Sequence, residues 1–155
     1  MTQLHDSSAR SPQTSAEWED YFDLRWRILR APWDQPRGSE KDDREESSEH
    51  LMIVGPDSRP IAIGRLHFNN PVEAQVRFMA VEPKTQGQGL GGRILQELEK
   101  LARAAGATSI VLNARDGAER FYQKHGFITS GPAPTMFNVI KHVRMWKDLT
   151  NRAGS

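Results

Sequence analysis

The spacing of apolar residues predicts three helices. A capping-box sequence at residues 14–17 precedes apolar side chains at helical spacing, and this first helix is expected to end near Pro32. An apolar stripe over residues 90–105 predicts a second helix, which Gly106 closes as a left-handed cap. A second capping box at residues 116–119 predicts a short third helix.

Six short apolar runs predict strands. They lie at residues 51–54, 61–68, 74–81, 109–113, 127–129 and 138–146. The polar stretch at residues 33–49 is expected to be a loop with a short helix. Because the chain shows no repeat and no linker, we predict one mixed α/β domain at residues 14–150. A flexible arm is expected at 1–13 and a flexible tail at 151–155.

Composition narrows the classes of function. A chain of 155 residues has room for one core, and its net charge of +1 gives no reason to expect a nucleic-acid or membrane partner. No apolar run is long enough to span a bilayer, and no secretory signal is recognised. The chain contains no cysteine, which excludes disulfides, thiolate metal sites and a cysteine nucleophile. We therefore expect a cytoplasmic protein that uses no metal.

Four glycines fall within seven residues between the third predicted strand and the second predicted helix. This glycine loop consists of Gln86, Gly87, Gln88, Gly89, Leu90, Gly91 and Gly92. A helix N-terminus offers free amides and a partial positive charge, and glycine lets an anion approach the backbone closely. The loop is therefore predicted to bind phosphate groups.

One interpretation of the glycine loop is a nicotinamide-dinucleotide site. Gly87, Gly89 and Gly92 match the pattern G-x-G-x-x-G, and Asp116 follows at a suitable distance. In that motif, however, the first glycine follows the strand directly, whereas residues 82–86 intervene here. The loop also lies past the middle of the chain, which leaves too few residues for a doubly wound sheet. This interpretation therefore ranks second.

The other interpretation rests on motifs that occur in a fixed order. Gln86, Gly89 and Gly91 fit Q/R-x-x-G-x-G/A, residues 79–83 read Met-Ala-Val-Glu-Pro, and residues 120–127 read Arg-Phe-Tyr-Gln-Lys-His-Gly-Phe. Together with the closing strand, these motifs make the chain resemble the GCN5-related N-acetyltransferase superfamily over more than half its length.

The N-terminal half is similar, more weakly, to ElaA-type acetyltransferases. The similarity rests on Leu24-Arg25, the Asp42-Asp43 pair and His50. Residues 28–33 depart from that pattern, so the acceptor specificity of those enzymes is not transferred to this chain.

The superfamily resemblance implies a fold, a co-substrate and site residues. The fold is a central, mostly antiparallel sheet that is splayed between the family's fourth and fifth strands and flanked by helices. Acetyl-coenzyme A would place its pyrophosphate on the glycine loop and its pantetheine arm in the splay, beside Met79, Ala80, Val81 and Asn113. A main-chain amide near Val81 would polarise the thioester carbonyl. Tyr122 corresponds to the family's general acid, which protonates the departing thiolate.

The resemblance also implies the reaction. The acetyl group would move directly from acetyl-coenzyme A to a primary amine of a small-molecule or peptide acceptor, and a homodimer is one expected assembly. The alternative is a non-catalytic protein that binds acyl-coenzyme A as a sensor. His50, His67 and Glu73 are candidates for a general base, and none of them is assigned.

An acidic segment between the first helix and the first strand leaves the acceptor open. It contains Glu40, Asp42, Asp43, Glu45, Glu46 and Glu49. These side chains could form a negative wall that attracts a cationic amine, or they could simply be a solvated face. Arg65 and Arg77 could point toward the same cleft, where they would favour an acidic acceptor.

Overall fold

The computed structural model describes residues 8–150 of the chain. Its three helices are α1 (Ser15–Leu29), α2 (Leu90–Ala104) and α3 (Glu119–Lys124). Its six strands are β1 (Glu49–Val54), β2 (Pro60–Asn70), β3 (Glu73–Val81), β4 (Ser109–Arg115), β5 (Ile128–Met136) and β6 (Ile140–Asp148). Short 3₁₀ turns occupy Ala31–Trp33 and Pro83–Thr85.

The six strands form one sheet in the order β1-β2-β3-β4-β6-β5. Only β3 and β4 run parallel, and every other neighbouring pair is antiparallel. The predicted mixed fold with a mostly antiparallel sheet is therefore confirmed.

The helices cover both faces of this sheet. The apolar stripe of α2, which includes Ile94 and Leu98, packs on one face in the main core. On the other face, Tyr21 and Leu24 of α1 form a second apolar cluster with residues of β1, β2 and β3. Within residues 8–150, no helix is both long and apolar enough to cross a membrane.

The helix caps partly follow the predictions. The Thr14 hydroxyl accepts a hydrogen bond from the Glu17 amide at 3.1 Å, as the first capping box predicts. The second capping box is wrong, because α3 begins two residues late and has Ala118 rather than Asp116 at its N-cap. Gly117 there has a φ of +97°, and this turn separates Asp116 from the first helical turn. Of the predicted capping pair, only Glu119 acts as expected: its carboxylate accepts a hydrogen bond from the Gly117 amide at 2.9 Å.

Part of the expected N-terminal arm contacts the domain. Arg10 exchanges two main-chain hydrogen bonds with Met52 of β1, at 2.9 and 2.8 Å. Its side chain also forms an ion pair with Glu17 at 2.7 Å. The segment around Arg10 is therefore held against the sheet, which the prediction of a flexible arm at 1–13 did not anticipate. Residues 1–7 and the predicted tail at 151–155 lie outside the described residues.

Candidate active site

Strands β3 and β4 separate part-way along their length. They pair only from Glu73–Ser109 to Gln75–Val111, although β3 stays paired with β2 as far as Val81. The edges of the two strands that face each other beyond this point are left without strand partners. This gap corresponds to the predicted splay.

The main chain of Val81 points into the gap. The Glu82 amide donates to the Ile61 carbonyl at 2.8 Å, toward β2. Because successive residues of a strand point their amides to opposite sides, the N–H and carbonyl of Val81 face away from β2. In agreement with this direction, the Gln86 side chain donates to the Val81 carbonyl at 3.4 Å. The gap therefore contains a fixed hydrogen-bond donor.

The glycine loop lies at the end of the gap and leads into α2. The first main-chain hydrogen bond of the helix runs from the Arg93 amide to the Gly89 carbonyl at 3.1 Å. The amides of the preceding turn consequently have no helical acceptor, and Gly89 provides no side-chain cap. This end of α2 can therefore bind an anion through several N–H groups.

The glycines of the loop have two different roles. Gly87 and Gly89 adopt φ values of +87° and +78°, which residues with a Cβ rarely adopt. Gly92 is favoured by packing instead, because a Cβ there would lie 3.0 Å from the His125 ring, whereas a Cβ at Gly91 would make only an ordinary contact with Phe121 at 3.4 Å.

The gap and the loop open into one cavity of about 1170 Å³. Of the predicted site residues, those that line it are Met79, Ala80, Val81, Gln86, Gly87, Gly89, Leu90, Gly91, Gly92, Asn113 and Tyr122. Gln88 does not line the cavity. The structure thus brings the predicted loop, strand and helix residues together around one space.

Tyr122 lies on α3 at the cavity wall. Its ring packs edge-on against Phe121 and Phe127, with centroid separations of 4.9 and 6.0 Å. Burial raises the pKa of Tyr122 to about 12, although the charge of Arg115 acts in the opposite direction. The phenol therefore stays protonated at every pH at which the protein would be assayed.

The two buried histidines among the base candidates, His50 and His67, have both ring nitrogens occupied. Nε2 of His50 lies 2.7 Å from the Glu45 carbonyl, so it must donate, and Nδ1 accepts from Tyr21 at 2.8 Å. Nδ1 of His67 accepts from Arg65 at 3.0 Å, and Nε2 donates to Asn69 at 3.1 Å. Burial lowers the pKa of both histidines. Neither one has a free lone pair for a substrate proton.

The third base candidate, Glu73, is held in a polar pair at the start of β3. The carboxylate of Glu73 accepts a hydrogen bond from the Asn69 amide at 2.9 Å. Glu73 is also absent from the cavity wall, so its position gives no support for a role as general base.

Two carboxylates of the acidic segment, those of Asp42 and Glu45, are paired with buried arginines. Arg65 is fully buried and contacts Asp42 through both terminal nitrogens, at 2.6 and 2.9 Å, and Glu45 at 3.0 Å. Arg25, also fully buried, contacts Glu45 at 2.9 Å. Partial burial acts to raise the pKa of Asp42, but its hydrogen bonds and the nearby guanidinium groups outweigh burial and hold that pKa well below its usual range.

Phe78 forms the centre of a cluster that the sequence did not reveal. Its φ is +60°, and the pairing of β2 with β3 shifts register around it. Four guanidinium carbons lie 4.1 to 5.6 Å from its ring centroid, from Arg25, Arg30, Arg65 and Arg77. The available sequence signals were the placement of Arg25 within the apolar stripe of the first helix and the expectation that Arg65 and Arg77 share one cleft.

A comparison with known families decides between the two interpretations of the loop. The model described as "Acetyltransferase (GNAT) family" matches residues 18–127. The chain belongs to the GNAT acetyltransferase family. The resemblance to the superfamily is thereby confirmed. As a member of this family, the protein is an acyltransferase that depends on acetyl-coenzyme A. The nicotinamide-dinucleotide interpretation is set aside.

Individual relatives and structures agree with this assignment. The uncharacterized N-acetyltransferase YjcF of Bacillus subtilis (strain 168) is 29% identical over 130 residues, which cover 84% of the GNAT chain and 91% of YjcF. A crystal structure of aminoglycoside 6′-N-acetyltransferase complexed with coenzyme A has a TM-score of 0.77 at 15% identity, with 94% and 97% of the two chains covered. Escherichia coli ElaA has a TM-score of 0.72 at 16% identity, with 94% and 96% covered.

Proposed function

We propose that this protein transfers the acetyl group of acetyl-coenzyme A directly to a primary amine. The observation that carries the proposal is the gap between β3 and β4, which combines an inward-facing Val81 amide with the free amides of the glycine loop. A loop that only turned the chain would have no need of an adjoining gap. The two features together suit a long ligand that has an anionic end and an acyl end.

The cofactor would lie along this path. The amides at the start of α2 would hold the pyrophosphate, since the helix dipole and the free N–H groups both favour an anion there. The pantetheine arm would run beside Met79, Ala80 and Val81. Asn113 is exposed on the opposite wall, where its amide is available to the arm. The Val81 N–H would donate to the thioester carbonyl and stabilise the negative charge that develops on its oxygen.

The reaction would then proceed in one substitution. The amine nitrogen attacks the thioester carbon, the carbon–sulfur bond breaks, and coenzyme A leaves as a thiolate. The nitrogen loses one proton, and one proton reaches the sulfur or the solvent. Because both buried histidines have occupied ring nitrogens, we assign the removal of the amine proton to water.

Tyr122 would act at the departing sulfur. A phenol is a weaker acid than a thiol, whose ordinary pKa is about 8.5, so complete proton transfer to a free thiolate would be uphill. The hydroxyl would therefore stabilise the thiolate mainly as a hydrogen-bond donor, with any proton it gives replaced from the attacking amine. A hydrogen bond to a charged group contributes about 1.5–3 kcal/mol, which corresponds to roughly 10–150-fold in rate.

The test is Tyr122→Phe, which removes one oxygen and leaves the ring packed. We expect kcat to fall by about 10–150-fold while the Kd for acetyl-coenzyme A changes little, because the hydroxyl matters mainly once charge has developed on sulfur. Released coenzyme A thiol reports turnover, and the enzyme has no cysteine to interfere. A folded variant that keeps more than about a third of wild-type kcat, with chemistry limiting, would exclude this role. A protein that only senses acyl-coenzyme A would release no thiol with any amine.

A further inference from the structure

The cationic cluster around Phe78 divides into buried and cavity-lining members. Arg25 and Arg65 are fully buried and form ion pairs with Glu45 and Asp42. Arg30 and Arg77 line the cavity instead. Of the acidic segment, Glu45 is paired behind this wall, whereas Asp42 and Asp43 line the cavity, and Asp42 is already paired with Arg65 and Arg77.

Arg30 is the member without an acidic partner. Its side chain is 7% exposed, and it donates only to main-chain carbonyls: Nε to Ser39 at 3.0 Å and Nη1 to Leu29 at 2.9 Å. Across residues 8–150, no carboxylate lies within ion-pair distance of its guanidinium, and Nη2 makes no hydrogen bond. The Glu40 carboxylate acts on Arg30 only from beyond that distance. A buried cation with no anion in contact is unfavourable, so this arrangement calls for a partner.

Arg77 is only partly neutralised. It contacts Asp42 through Nη1 at 2.8 Å, but both oxygens of the same carboxylate also accept hydrogen bonds from Arg65. One negative charge therefore faces two guanidinium groups. Burial lowers the pKa of Arg77, although the charge of Asp42 acts in the opposite direction. Burial, Arg77 and Arg25 lower the pKa of Arg30 against the opposing charge of Glu40, so the positive charges act on one another.

Aromatic side chains complete this end of the cavity. Trp33 follows α1, and Phe137 lies in the turn between β5 and β6; their rings stack with centroids 6.5 Å apart. The Arg30 guanidinium lies 5.4 Å from the Phe137 ring. Stacking on Phe78 and Phe137 stabilises the cations, but an aromatic ring does not supply the negative charge that Arg30 lacks.

We infer that the acceptor amine carries a carboxylate or phosphate group, which Arg30 and Arg77 bind beside Phe78. Guanidinium groups recognise such oxyanions through paired N–H donors. Binding the anion here would leave the amine of the same molecule to reach the gap between β3 and β4. This inference rests on the proposed acetyl transfer, because it concerns the acceptor of that reaction.

A direct binding experiment tests the anion site without requiring turnover. The probe is inorganic phosphate, added to ¹⁵N-labelled protein saturated with coenzyme A so that the glycine loop is already occupied. The arginine Nε–H signals of Arg30 and Arg77 are expected to shift and saturate. Arg37, which is exposed on Trp26 and does not line this cavity, serves as the control and should not saturate. Equal responses at all three arginines, or none, would overturn the inference.

Kinetics with matched acceptors give the second test. Each pair differs only in the anion: 4-aminobutyrate with 4-aminobutanamide, and O-phosphoethanolamine with ethanolamine. The better anionic acceptor should exceed its neutral partner at least about tenfold in kcat/KM. Arg30→Gln, and independently Arg77→Gln, should remove most of that preference, whereas Arg37→Gln should keep it. Faster reaction of the neutral amines in both pairs would contradict the inference while leaving acetyl transfer intact.

The two proposals can fail separately. If coenzyme A does not bind, or if no amine is acetylated, the proposed function fails, and the phosphate titration still reports whether Arg30 and Arg77 form an anion site. If coenzyme A alone saturates the Arg30 and Arg77 signals and phosphate adds nothing, these arginines belong to the cofactor site and the inference about the acceptor is wrong.

Discussion

Removing the guanidinium of Arg65 should destabilise the protein more than removing an exposed cation. The change is Arg65→Met, which keeps most of the side-chain volume. In the wild type this guanidinium contacts Asp42 twice, Glu45 once and Nδ1 of His67, and it is fully buried. The variant would leave the two partly buried carboxylates with Arg77 and Arg25 as their remaining partners.

The magnitude follows from these contacts. Breaking a buried ion pair by removing one partner costs about 3–5 kcal/mol. Because Arg77 and Arg25 still compensate the two carboxylates, we expect the lower end, about 3 kcal/mol in the free energy of unfolding. For a chain of this length, 1 kcal/mol shifts Tm by about 2–4 °C, so Tm should fall by about 6–12 °C.

The assay is unfolding by heat and by urea, followed by circular dichroism. Lys100→Met is the matched control, because Lys100 forms its ion pair with Glu97 on the exposed side of α2 and should contribute under about 1 kcal/mol. If Arg65→Met destabilised no more than Lys100→Met, the buried network would not stabilise this fold, and the argument from its contacts would be refuted.

Two further predictions concern the segment before α1 and its contact with the first turn of that helix. A chain that begins at Ser11 lacks the two main-chain hydrogen bonds of Arg10, each of which contributes about 0.5–1.5 kcal/mol. Its Tm should therefore fall by several degrees relative to that of a chain that begins at Ala9. Equal Tm values would show that these two hydrogen bonds are not formed in solution. Hydrogen bonds from Arg10 and Gln13 lower the pKa of Glu17 from 4.5 to about 2, so its carboxylate stabilises the fold above pH 4.5 and this stabilisation is lost as the pH falls to about 2. The stability deficit of Glu17→Gln should therefore be present at pH 6 and shrink toward pH 2, whereas a deficit independent of pH would contradict the assignment.

Strands and the glycine loop could be predicted because their signals are local. Alternating apolar residues define β3, and four glycines before an apolar stripe define the start of α2. Strand β5 was expected only over residues 127–129, because Gly131, Pro132 and Pro134 resemble a loop. The strand continues to Met136 because it lies at the edge of the sheet and pairs only with β6, a position that tolerates proline.

The acceptor end of the cavity could not be predicted for a different reason. Arg30 lies at the end of α1 and Phe78 lies within a strand, and neither position departs from an ordinary local pattern. Their roles come from tertiary pairing: the register shift between β2 and β3 gives Phe78 its positive φ, and the packing of α1 on the sheet buries the arginines. The sequence left an acidic wall and an arginine site at Arg65 and Arg77 as alternatives, and the fold pairs Asp42 and Glu45 with arginines.

The central claim is that the glycine loop and the gap beside it hold acetyl-coenzyme A, and calorimetric titration of coenzyme A into two glycine variants tests it most directly. Gly89→Val and Gly106→Val place the same side chain at opposite ends of α2, and both glycines have positive φ and no atom within 4 Å of an added Cβ. The backbone strain should therefore be similar in the two variants. We predict that Gly89→Val weakens binding at least about tenfold, or about 1.4 kcal/mol, and that Gly106→Val binds like the wild type. Equal affinity in the two folded variants would contradict the placement of the cofactor on this loop.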